Sequence, residues 1–162
     1  MKTKEGAMAE DSALAEFKKG VSLLRKGQPG EAFEYLRHAA ELDQKNPYYL
    51  SFLGVSVARS QRKWAAAVEL CEKALSLKRK EAQLYLNLAE VYLAAGRRDD
   101  AVEILDKGLI YFSVDARIRR ARANLGKRGA PVLPFLERGH FLNRSLGMLR
   151  RRVSGRLRKS KR

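Results

Sequence analysis

The stretch AEVYLAAGRRDDAVEILDKG, residues 89–108, carries the pattern that decides the fold. Small residues stand at Ala89, Ala101 and Gly108, with larger apolar ones at Tyr92 and Leu105. Each has counterparts upstream. Gly20, Gly54 and Ala89 form one series; Ala32, Ala67 and Ala101 a second; Ala39, Ala74 and Gly108 a third. Leu23, Val57 and Tyr92 keep the same phase, as do Leu36, Cys71 and Leu105. The interval is 34 or 35 residues in every series. That is the length of a helix–turn–helix repeat, in which small residues let paired helices approach and larger ones fill the grooves. One such unit cannot cover its own apolar face, so neighbours stack to bury it.

Working outward, helices are expected near 11–26, 31–43, 47–60, 63–77, 81–95, 99–111 and 115–125. Asn46-Pro47 reads as an N-cap followed by proline at the first helical position. Gly27 and Gly96 suit left-handed C-terminal turns. Asp99 and Asp115 are candidate caps for the helices that follow them. The last helix sets Ile118, Ala121 and Leu125 on one stripe among arginines, as a polar-backed terminal cap requires.

The segments Gly20-x2-Leu23…Gly27…Ala32-x3-Leu36-x2-Ala39…Glu41-Leu42-Asp43 and Ala89-x2-Tyr92…Gly96…Ala101…Leu105…Leu109 resemble the tetratricopeptide repeat (TPR) family over about residues 12–115. The resemblance implies an all-α, right-handed α-solenoid of three helix–turn–helix repeats plus a capping helix and a basic tail. Three features depart from the family pattern. Glu16 and Lys19 occupy usually apolar positions. Repeat two holds one extra residue near Arg59 to Lys63. Of the family's repeat-ending prolines only a displaced Pro47 is present. The expected organisation is a disordered start over 1–10, a repeat domain with capping helix over 11–125, and a tail over 126–162.

The resemblance also implies a concave surface lined by the first helix of each repeat. Carried across, that face comprises Leu14, Phe17, Val21 and Leu24, then Tyr48, Ser51, Val55 and Arg59, then Gln83, Leu86, Asn87 and Glu90. Such an apolar and aromatic lining suits an extended or helical peptide; several of its residues could equally be core. Some family members grip a C-terminal carboxylate with Lys and Asn from adjacent repeats. Here only Asn87 matches, and Phe17 and Val21 stand at the first repeat's Lys and Asn positions, which argues against that mode.

Charge divides the chain. Residues 1–115 hold 18 Lys and Arg against 17 Asp and Glu, whereas residues 116–162 hold 16 against one, Glu137. The two parts should therefore do different work. Gly126-Lys127-Arg128-Gly129 reads as a flexible break. The apolar segment Pro131–Leu136 disfavours helix and is a candidate to occupy the protein's own groove. Leu142, Leu146, Leu149, Val153 and Leu157 then form one helical face. Arg144, Arg150, Arg151, Arg152, Arg156, Arg158 and Lys159 surround it, a pattern open to an acidic protein surface, nucleic acid or an anionic membrane.

Nothing in the sequence supports catalysis. His38 and His140 belong to no metal-ligand spacing, and Cys71 falls at a repeat core position. Neither a metal nor another cofactor is expected, nor a small-molecule substrate. With one cysteine and a polar start, the expectation is a cytoplasmic protein. The function expected is a non-catalytic scaffold or adaptor that binds a partner peptide. Nucleic-acid or ribosome association through the tail, and a secretion-type chaperone, are the alternatives.

Overall fold

The computed structural model describes residues 4–126, with side chains from Glu10 onward. Seven helices run in order: α1 Lys4–Arg25, α2 Pro29–Leu42, α3 Pro47–Gln61, α4 Trp64–Leu77, α5 Ala82–Ala94, α6 Arg98–Tyr111 and α7 Ala116–Asn124. All described residues outside them are turns and short connections. Helices pair as α1/α2, α3/α4 and α5/α6, each second helix packs on the first helix of the next pair, and α7 closes on α5 and α6. The expectations for Pro131–Leu136, for the amphipathic helix after Asn143 and for the tail arginines fall outside the described residues.

Chain chemistry explains the helix ends. Asn46 accepts from the backbone N–H of Tyr48 at 3.1 Å and of Tyr49 at 3.5 Å, and Pro47 opens α3. Asp115 accepts from the N–H of Arg117 and Ile118 to start α7. Glu81 does the same for α5 through the N–H of Gln83. These caps satisfy donors that a helix start leaves unpaired. Gly27 and Gly96 take φ of 77° and 73°, the left-handed turn expected of them. In both turns the glycine N–H donates three residues back and the next N–H five back (Gly27 to Leu24 and Gln28 to Leu23; Gly96 to Leu93 and Arg97 to Tyr92).

Two boundaries differ from expectation. The first helix begins at Lys4, so residues 4–10 are helical where disorder was expected. Ala7, Met8, Ala9 and Glu10 are all good helix formers, and no stop signal separates them from Ala13. Asp99 is not a cap: Arg97 holds that position, because the Gly96 turn leads straight into the helix. Asp99 and Asp100 lie in the first turn of α6 instead, where carboxylates complement the helix dipole.

The repeat series are the core. Ala32, Leu36, Ala39, Ala67, Cys71, Ala74, Ala101 and Leu105 are all essentially inaccessible. The small residues are sterically required: a Cβ on Gly54 would lie 2.7 Å from Cys71 Sγ and 2.8 Å from the Ala67 carbonyl oxygen. One on Gly20 would lie 2.5 Å from Leu36 Cγ. Helix α3 is the centre of the array and is buried along nearly its whole length, from Tyr49 to Ala58. The two polar departures in α1 are accommodated. Glu16 Oε1 lies 3.7 Å from His38 Nδ1, and the Lys19 ammonium sits 5.0 Å from the centre of the Tyr35 ring.

Candidate functional site

Helices α1, α3 and α5 stand side by side as the first members of their pairs, and α7 extends the row past α5. The residues expected to line a groove lie on these helices, and they sort by depth. Leu14 is 40% exposed on α1. Phe17, Val21, Tyr48, Gln83, Leu86 and Glu90 are half-buried, and Arg59 is exposed. Ser51, Val55, Asn87 and Leu24 are buried. These four correct the expected lining, since they form its floor and present no surface to a ligand. The reason is helical phase: side chains aimed between neighbouring first helices are covered by those neighbours.

The floor is a polar ladder. Asn87 Nδ2 donates to Ser51 Oγ at 2.8 Å, and Gln83 Nε2 donates to Asn87 Oδ1 at 2.8 Å. Arg117 Nη1 on α7 donates to Gln83 Oε1 at 3.3 Å. Buried polar atoms are thereby paired, which fixes the register of α3, α5 and α7. Both ends of the Asn87 amide are engaged within the protein, so it is not poised to hold a carboxylate.

Phe17 bridges repeats one and two, with its ring centre 4.9 Å from that of Tyr49 and 5.3 Å from that of Phe52. Tyr48 bridges repeats two and three. Its hydroxyl donates to the Glu81 carboxylate and accepts from Lys78 Nζ at 3.3 Å, while the Lys78 ammonium lies 5.0 Å from the ring centre. Burial alone would raise the Glu81 carboxyl. The Tyr48 hydroxyl, the Gln83 N–H and Lys78 outweigh it and hold the carboxyl below its ordinary value.

Arg59 reaches both neighbours. Its Nη2 lies 2.5 Å from Glu90 Oε1 on α5 as an ion pair, and its Nη1 donates to the Leu24 carbonyl of α1 at 3.4 Å. Burial raises the Glu90 carboxyl above its ordinary value, and Arg59 offsets only part of that rise. Sequence reasoning named Tyr48, Arg59 and Glu90 as groove residues and missed these pairings. The spacing of Tyr48 to Glu81, about one repeat, was the available signal.

A second concavity of about 190 Å³ lies among α4, α5 and α6, bordered by Glu72, Tyr92, Asp100, Ile104 and Lys107. It is smaller than the roughly 300 Å³ at which small-molecule pockets begin. Its polar groups are paired with one another: Tyr92 to Glu72 at 3.1 Å, Arg97 to Asp100 at 2.8 Å and Lys107 to Glu103 at 3.2 Å. Burial raises the Cys71 thiol well above its ordinary value, so it is not a nucleophile.

Two family models, both described as tetratricopeptide repeat, match residues 17–46 and 58–125, together more than half of the chain. No curated protein matches the sequence. Many solved structures share the fold. The first TPR of Spaghetti (RPAP3) bound to the HSP90 peptide SRMEEVD is 19% identical, with a TM-score of 0.60 over 72% of this chain and 94% of that one. The Yersinia enterocolitica type III secretion translocator chaperone SycD is 15% identical, with a TM-score of 0.58 over 71% of this chain and 92% of that one. A Thermobaculum terrenum O-GlcNAc transferase mutant is 19% identical, with a TM-score of 0.63 over 77% of this chain but 23% of that one.

Proposed function

Because the chain belongs to the tetratricopeptide repeat family, we propose that it is a non-catalytic scaffold whose inner face binds a partner peptide. The observation that carries this reading is the row of incompletely buried apolar groups on that face. Leu14, Phe17, Val21 and Leu86 remain partly accessible above a floor of satisfied polar groups. Such a surface takes apolar side chains of an extended or helical segment. One similar structure holds an HSP90 peptide that ends in a carboxylate-rich sequence. Here the engaged Asn87 and the apolar Phe17 and Val21 direct recognition towards apolar side chains instead.

On this reading residues 11–125 are the binding unit, working in the cytoplasm. The cationic segment 126–162 adds electrostatic attraction to an acidic partner surface. The test is capture from native lysate with the full chain and with a Leu14→Glu, Leu86→Glu variant. Both positions are at least partly accessible, so circular dichroism should show the variant folded. Partners lost from the variant support the groove; a partner set unchanged by both substitutions overturns it.

Charge segregation favours a second reading, in which residues 116–162 associate with nucleic acid or the ribosome. Binding would then weaken steeply with salt. A chain lacking 127–162 that binds RNA as well as the full chain removes this reading. A secretion-type chaperone role draws on the likeness to SycD, which at 15% identity is a likeness of fold.

A further inference from the structure

The connections from each second helix to the next first helix, residues 43–46, 78–81 and 112–115, recur in repeat register along one edge of the array. Leu42, Leu77 and Tyr111 occupy equivalent places in the last turns of α2, α4 and α6, and each is 42% exposed or more. Near the last connection, Ile110 is 79% and Val114 is 86% exposed. The middle connection carries Lys78, Arg79 and Lys80, all exposed. Tyr85 ties the last two connections together. Its hydroxyl donates to the Arg79 carbonyl at 3.0 Å, and its ring centre lies 6.3 Å from that of Tyr111 and 6.1 Å from that of Phe112.

We propose that this edge docks on an anionic lipid surface, with Ile110, Tyr111 and Val114 entering the headgroup layer and Arg79 and Lys80 facing lipid phosphates. Large apolar side chains this exposed and this close together mark an interaction site. They stand out from the protein instead of lining a hollow, so they suit a yielding layer better than a peptide, which needs a concave seat. Repeat register sets equivalent positions in a row along this edge. The charge is complementary, because the acids on this edge are already engaged. Glu81 pairs with Lys78 and Tyr48, and Asp115 with Arg117 and the start of α7. Arg79 and Lys80 make no ion pair among the described residues. Beside Leu42 stand Glu41 and Asp43, so contact centres on repeats two and three. No described helix is long and apolar enough to cross a membrane, which makes this an attachment to one face. Apolar insertion and basic attraction are each weak alone and act together.

The inference is independent of the groove and is tested apart from it. The full chain carrying Val114→Cys is labelled with an environment-sensitive fluorophore; buried Cys71 does not compete. Vesicles of phosphatidylcholine mixed with phosphatidylglycerol should shift the emission to the blue, and pure phosphatidylcholine should not. Adding Arg79→Glu and Lys80→Glu should weaken the response at least about tenfold. The same label on Ala66→Cys, exposed near the start of α4 at the opposite edge, should stay water-like. The cationic segment after residue 126 can bind vesicles by itself, so binding with the label at 114 still in water overturns the proposal. So does an equal shift at both labelled positions. A shift that grows with protein concentration without vesicles would assign the edge to a second copy of the chain, and a shift produced only by an acidic peptide would assign it to a protein; either result also overturns the proposal.

Discussion

Arg62 shows how one residue records the strain of a repeat. It occupies the turn that Gly27 and Gly96 occupy in the flanking repeats, and it takes a left-handed φ of 56°. A side chain there crowds the following carbonyl, a cost of about 1 kcal/mol that glycine escapes. Its guanidinium lies 5.8 Å from the centre of the Trp64 ring, near the outer limit of a useful cation–π contact. Arg62→Gly should therefore stabilise the protein by about 0.5 kcal/mol once that contact is subtracted. The check is the midpoint of urea unfolding, and a lower midpoint for the variant would show that the Trp64 contact dominates. The same residue explains the irregular spacing of repeat two. Gly54 to Arg62 spans one residue more than Gly20 to Gly27, and α3 takes up the excess by running to Gln61, adjacent to the turn.

Helices were the most legible elements in the sequence, because glycines at turns act through local backbone sterics and small residues at helix contacts recur at the repeat interval. All seven were expected, six of them close to where they stand and α1 starting seven residues early, and Asn46 and Asp115 cap as anticipated. What lay beyond local chemistry was the use of side chains between elements. Tyr48 reads as a groove aromatic, yet its hydroxyl joins α3 to the start of α5 through Glu81. That contact has a pH signature. The Glu81 carboxyl sits lower in the folded protein than in the unfolded chain. Its contribution is therefore present above the unfolded carboxylate value and is lost as pH falls through the folded value. Tyr48→Phe removes one donor to that carboxylate and should cost about 1 kcal/mol at neutral pH. The difference from the parent should close under acid conditions, measured as melting temperature against pH. A difference of constant size would place the effect in ring packing and not in the hydroxyl.

In the whole molecule, stability is close to a sum over repeats and the interfaces between them, so a side chain serving two interfaces has outsized influence. Arg59 is such a group. From the central repeat it meets the Leu24 carbonyl on one side and Glu90 on the other. Burial raises the Glu90 carboxyl, so ionised Glu90 opposes folding above its folded value and that opposition is relieved as pH falls through it. Arg59 offsets the penalty while Glu90 is charged. Both side chains are about two-fifths exposed, which keeps the pair well below the 3–5 kcal/mol cost of breaking a fully buried one. Arg59→Ala should cost about 1–2 kcal/mol at neutral pH, and the loss should shrink as Glu90 takes up its proton. In a Glu90→Gln background the same substitution should cost less and lose its pH dependence. Hydrogen exchange distinguishes a link between two interfaces from a single ion pair: amides of α1 and of α5 should both exchange faster in Arg59→Ala. Faster exchange in α5 alone would confine Arg59 to its partner Glu90 and leave the α1 contact without energetic weight.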